Sequence, residues 1–304
     1  MTIRCLLIAA LVLAAGTQEL QNPTTSQRRN VGTPELLPSR IISLVPALTE
    51  MTFAIGAGDK VVAVSSYDED PPQVRSLPRV GALLDPDVER IIVLRPDLVL
   101  VYGSQLDLMT QLNRASIPYF EYRHAGLADV TVTIRALGQR LGRTSQAQAL
   151  AEDIERRLAR LRQRTSALKR PRTLLVFGRE RGSLRNIYAS GGRGFLHDIL
   201  EAAGGVNVFA EVSAESVQAS SELILARAPD AIVELRTTDI PAERDRAAEI
   251  DSWRTLASLP AVKGHRVYLL TGRFLVVPGP RIAEATEQIA QLLHPEIARD
   301  LRLR

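Results

Sequence analysis

Beyond its fifth residue this chain has no cysteine. Cys5 stands ahead of an apolar run, Leu6 to Ala15, and nothing after that run carries a thiol. Disulfides, thiol nucleophiles and thiolate metal sites are therefore excluded from the folded part. Aromatic residues are scarce at 4%, so a ligand site built only from stacked rings is excluded too. Lysine is nearly absent: Lys60, Lys169 and Lys263 are the only three, and arginine carries the rest of the positive charge. The arginines are interleaved with acids, as in Glu155-Arg156-Arg157 and Glu243-Arg244-Asp245-Arg246, and the net charge is only +4. Basic stretches do not alternate with aromatics, so no nucleic-acid partner is expected.

Catalytic signatures are missing as well. There is no Gly-x-Ser-x-Gly elbow, no P-loop and no His-Glu-x-x-His. His124, His197, His265 and His294 are widely spaced and suggest no metal site. No catalytic residue, metal or resident cofactor is expected, and the chain reads as a binding protein, not an enzyme. Gly191-Gly192-Arg193-Gly194 follows a strand and opens a helix, but lacks the complete dinucleotide pattern. It reads as a tight turn whose helix start could meet an anionic or polar ligand group.

The first thirty residues have the order of a secretory signal: Arg4, the short apolar run, small residues at Ala14 to Gly16, then a polar stretch. The run is too short to cross a bilayer, which takes about 20 apolar residues. Cys5 lies before the run rather than after it, so no lipid anchor is expected. Residues 1–30 are taken as signal peptide and leader, and the protein as exported to the periplasm.

From residue 31 onward the pattern alternates short apolar strands with helices: Arg40–Val45, Val61–Ser65, Leu98–Tyr102 and Pro118–Tyr122 as strands, with helices at Thr49–Ile55, Val88–Leu94, Leu106–Ala115 and Val130–Leu141. Such alternation indicates a layered, mostly parallel α/β lobe over 31–143. From Ser145 to Leu168 there is no glycine or proline, and Ala147, Leu150, Ile154, Leu158, Leu161 and Leu168 keep helical spacing. A single connecting helix is expected over 144–170, followed by a second α/β lobe over 171–304.

The two halves repeat one segment. Glu89 stands seven residues before Pro96-Asp97, and Glu222 seven residues before Pro229-Asp230, each with an apolar helix between and an apolar strand beyond. A glutamate at a short helix's start is favoured by the macrodipole and faces solvent. Two such acids at equivalent places suit a partner of approximate two-fold symmetry.

The order of several motifs resembles the periplasmic substrate-binding proteins of ABC importers, in the cobalamin-, siderophore- and haem-binding group with one long inter-domain helix. The motifs are Arg40-Ile-Ile-Ser-Leu-Val-Pro-Ala-Leu-Thr-Glu50, Val64-Ser-Ser-Tyr67-Asp-Glu-Asp-Pro71-Pro72, Leu94-Arg-Pro96-Asp97-Leu-Val, Ala203-Gly204-Gly205-Val-Asn207-Val-Phe209 and Pro280-Arg281-Ile282. The resemblance implies two α/β lobes on a stiff helix, a ligand between them, little hinge motion, and a monomeric binding protein serving two-fold-related membrane subunits with their ATPase. It implies that Glu89 and Glu222 meet arginines on those subunits. Tyr67 matches an aromatic that packs on a corrin ring, with Pro46 and Ala47 beside it, and the implied ligand is a corrinoid; a ferric siderophore or haem is the alternative. The other cleft aromatics of cobalamin binders fall here on Leu83 and Ser216. In their place Arg179, Arg181 and Arg185, and Arg273 with Phe274, follow strands in the second lobe and would suit ligand carboxylates or amides.

Overall fold

The computed structural model describes residues 37–123, 126–237 and 243–297. The expected leader and His124 lie outside them. The first lobe runs β1 (Ile41–Ser43), α1 (Pro46–Ala54), β2 (Val61–Val64), α2 (Val88–Val93), β3 (Leu98–Tyr102), α3 (Leu106–Arg114), β4 (Tyr119–Tyr122) and α4 (Leu127–Leu141). Its four strands are all parallel, in the order β2-β1-β3-β4. β3 is buried along nearly its whole length, which is why Leu98-Val-Leu-Val101 reads as an unbroken apolar run. Pro46 does not end the first strand's segment in a loop. It opens α1 three residues earlier than the expected Thr49, because a proline at the first helical position loses no hydrogen bond there.

α5 (Thr144–Thr165) is the expected connector. Ala147, Ala151, Ile154, Leu158, Leu161 and Thr165 are buried on one face, at alternating steps of four and three. α4 ends on Gly142 in the left-handed region (φ 68°), and α5 turns back along it. The two helices approach so closely at Gly138 that a Cβ there would lie 2.2 Å from that of Ala147. On the outside Arg135 forks onto Glu155 at 2.7 and 2.8 Å.

The second lobe runs β5 (Arg172–Gly178), β6 (Ile187–Ser190), α6 (Phe195–Ala202), β7 (Val206–Asn207), β8 (Ser216–Ala219), α7 (Ser221–Arg227), β9 (Ala231–Arg236), α8 (Glu243–Asp251), α9 (Pro260–Lys263), β10 (Val267–Thr271) and α10 (Ile282–Leu293). Its sheet is mixed. β10, β9 and β5 are parallel, while β6 and β8 run antiparallel at one edge. β7, β8 and α9 were not anticipated: two to four residues without a period leave no pattern to read. The lobes share one core. Val45, Leu48 and Leu137 of the first, Ile154 and Leu158 of α5, and Ile199, Leu275 and Ile289 of the second belong to a single buried apolar cluster. Moving the lobes apart would expose that cluster, which ties the fold to a small range of motion.

Candidate functional site

Strands β1, β2, β9 and β10 all point their carboxyl ends at the groove between the lobes. Residues just past those ends line an open concavity of ≈ 200 Å³: Pro46, Glu50, Tyr67, Glu69 and Asp70 from the first lobe, Thr237, Arg273, Val276 and Val277 from the second. This is the usual place for a ligand in parallel α/β architecture. Of the residues singled out from the sequence, Pro46, Tyr67 and Arg273 are brought together here.

The floor of the concavity is ionic. Arg281, at the start of α10, donates from Nε to Glu50 Oε2 at 3.1 Å and from Nη2 to Asp70 Oδ2 at 2.9 Å. Its guanidinium lies 4.9 Å above the centre of the Phe274 ring. Arg273 pairs with Glu69 Oε1 at 2.6 Å. Burial pushes the Glu50 carboxyl above its ordinary range, and the hydrogen bond and charge of Arg281 draw it back. Burial likewise raises Asp68, whose Oδ2 accepts from the amide and hydroxyl of Ser65 and whose buried Oδ1 has no partner.

The rim is apolar on the first-lobe side. Tyr67 is 66% exposed, and the neighbouring loop carries Leu83 at 40% and Leu84 at 94%. The loop is held against the Tyr67 turn by the Ser66 amide donating to Gly81 O, and against β3 by Gln105, which donates to Leu83 O and accepts from the Tyr102 amide. Tyr102 packs edge-on against Tyr122 at 5.7 Å. Burial, with the charge of Glu215 as the lesser cause, raises its phenol.

Several of the expected ligand residues do not line the concavity. Arg179 has a fully buried side chain, locked onto Glu234 and Glu249 at 2.9 Å each and stacked 5.7 Å from Trp253. A charge that far from water is stable only when paired, so Arg179 is a structural ion, not a ligand group. Ala47, in the first turn of α1, is buried and does not line the concavity. Phe274 turns its ring to Arg281. Arg181 is exposed on the β5–β6 turn, away from the lining residues, and Arg185 on the same turn pairs with Glu180. The amides of Gly191, Gly192 and Arg193 donate to carbonyls of Glu215, Val212 and Ala214, so these three are not available to a ligand. Sequence reading missed Glu50, Glu69, Asp70 and Arg281 as site residues. Each stood inside a quoted motif, but no fixed spacing links residues that meet only across the fold. Among the described residues, no group of three or more His, Cys, Asp or Glu could hold a metal ion.

The internal echo is structural. Asp87 and Ser220 cap α2 and α7 by accepting from the amides of Arg90 and Leu223, which puts Glu89 and Glu222 at the second helical position of each, both exposed. The residues before the prolines, Arg95 and Ala228, both take left-handed angles (φ 47° and 45°). Asp97 then accepts from the Arg40 amide, and Asp230 from the Arg172 amide, fastening each turn to the strand beside it.

A family model described as periplasmic binding protein matches residues 41–273. An uncharacterized ABC transporter substrate-binding lipoprotein of Bacillus subtilis (strain 168) is 32% identical over 265 residues, 85% of this chain and 81% of that protein. The solved structure of the periplasmic vitamin B12 binding protein of Vibrio cholerae superposes with a TM-score of 0.73 at 29% identity, covering 86% of this chain and 98% of that one. A periplasmic haem-binding protein of Pseudomonas aeruginosa gives 0.73 at 26% identity, covering 85% and 94%.

Proposed function

Since the chain belongs to the periplasmic binding protein family, we propose that it captures a corrinoid in the inter-lobe cleft and hands it to an ABC-type importer of the inner membrane. The observation that carries this reading is the pairing of exposed Tyr67, and of Leu83 and Leu84 on the loop bonded to its turn, with charged residues drawn from both lobes. A flat macrocycle fringed with amides has the matching chemistry: a face to pack on Tyr67 and a periphery that both donates and accepts hydrogen bonds. The concavity of ≈ 200 Å³ is too small to enclose such a ligand, which would lie across the mouth with one side open.

The shared core favours capture with little closure. Glu89 and Glu222, one on each lobe, would then meet matching arginines on two related membrane subunits. Residues 1–30 act as the export signal in this reading. Haem is the second reading, on one observation: Tyr67 offers an exposed phenol at the mouth that could meet an iron.

The test is calorimetric titration of the chain from residue 31 with cyanocobalamin, a ferric hydroxamate and haemin. Saturable one-to-one binding of cyanocobalamin, lost in Tyr67→Ala, supports the corrinoid. Binding of an iron chelate or haemin alone keeps the capture role and moves the ligand. Binding of none sinks both.

A further inference from the structure

Resting on the capture reading, we infer that the cleft selects by charge: it accepts an uncharged or cationic ligand and rejects an anionic one of the same shape. Arginines placed after second-lobe strands read, in the sequence, as invitations to ligand carboxylates. In the folded chain none of the expected arginines is left for that purpose on the cleft floor. Arg179 is spent on Glu234 and Glu249, and Arg273 on Glu69. Arg281, behind the floor, is divided between Glu50 and Asp70.

Among the described lining residues three are acidic, Glu50, Glu69 and Asp70, and one is basic, Arg273. Adding Arg281 leaves one carboxylate in excess over the two guanidinium groups. The amides of residues 191 to 193 add no compensation, since they are bonded to neighbouring carbonyls.

An incoming carboxylate therefore has to displace Glu69 from Arg273 or lose water beside Glu50 and Asp70. Both raise its free energy relative to an amide at the same place. An amide suffers less: its N–H donates to an acid already in position, and its oxygen brings no charge to be repelled by the surplus carboxylate. A cation gains from the surplus carboxylate directly.

The experiment compares cyanocobalamin with its monocarboxylates, made by hydrolysing one peripheral propionamide, so that shape is held and charge changes. In parallel it compares a cationic ferric hydroxamate, ferrioxamine B, with an anionic ferric tris-catecholate. The expected result is about tenfold weaker binding for each added carboxylate. That gap narrows in Glu69→Gln and Asp70→Asn and shrinks as salt is added. Equal or tighter binding of the anionic member of either pair overturns the inference and leaves the capture reading standing. So does a gap that neither variant nor salt alters. Preference for the cationic chelate with no corrinoid binding upholds the charge rule and removes the corrinoid. Failure of all four ligands to bind overturns both.

Discussion

Arg281 reaches from the start of α10 across the cleft to Glu50 in α1, Nε to Oε2 at 3.1 Å, so the pair bridges the two lobes under the ligand's place. Glu50 is only 8% exposed while Arg281 keeps 35% of its side chain in contact with solvent. The carboxylate therefore depends on the arginine more than the arginine depends on it. The same guanidinium also holds Asp70, which makes one residue the tie between the floor's two first-lobe segments.

Replacement of Arg281 by Gln should destabilise the protein by about 2 kcal/mol, below the full cost of orphaning a buried charge because water reaches this site. Adding Glu50→Gln should recover part of the loss. The sign of the pH effect follows from Glu50. A carboxyl raised above its ordinary 4.5 in the folded state keeps its proton where the unfolded chain has released it, so stability falls as pH rises through that range. The fall should be steeper in Arg281→Gln and absent at this site in Glu50→Gln. Urea midpoints from about pH 4 to pH 7 measure it.

Arg179→Ala should cost about 3–5 kcal/mol, since Glu234 would be left buried with Arg236 as its remaining cation. If the variant folds, its ligand affinity should equal that of the parent, because Arg179 does not line the cleft. Thermal denaturation gives the first quantity and titration the second. A stable Arg179→Ala with weakened ligand binding would reverse the structural assignment.

Gly138→Ala should lose about 1–3 kcal/mol through overpacking, because the new methyl meets Ala147 at 2.2 Å and α4 must lift from α5. The outcome to watch in guanidinium unfolding is the sign. A gain in stability, as expected for alanine in an unobstructed helix, would mean that the helices separate freely there.

Alanine at Glu89 and Glu222 together should leave ligand affinity unchanged and reduce uptake at least about tenfold, the effect of roughly 1.4 kcal/mol of lost docking. Each single variant should retain part of the uptake, as one of two related contacts survives. Transport of labelled ligand into cells, set beside titration of the purified variants, separates docking from capture.

Periodicity and punctuation made most of the fold legible. The unbroken apolar run at β3, the alternation of strands and helices, and the long span of α5 free of glycine and proline each report a local property that survives into the folded state. The echo around Glu89 and Glu222 was legible for the same reason: a cap, a short helix and a Pro-Asp turn are all written within a dozen residues. What the residues' order could not show was which side chains meet across long separations. Arg179 and Arg273 are alike in sequence, each an arginine just past a strand, yet one is sealed against Glu234 and Glu249 and the other faces the cleft. Glu50 and Arg281 stand 231 positions apart, and only the folded chain brings them into contact. Local spacing determined the elements. The sign of charge in the cleft was decided by tertiary contact, because a charge's effect depends on its nearest opposite charge, and that neighbour is set by the fold.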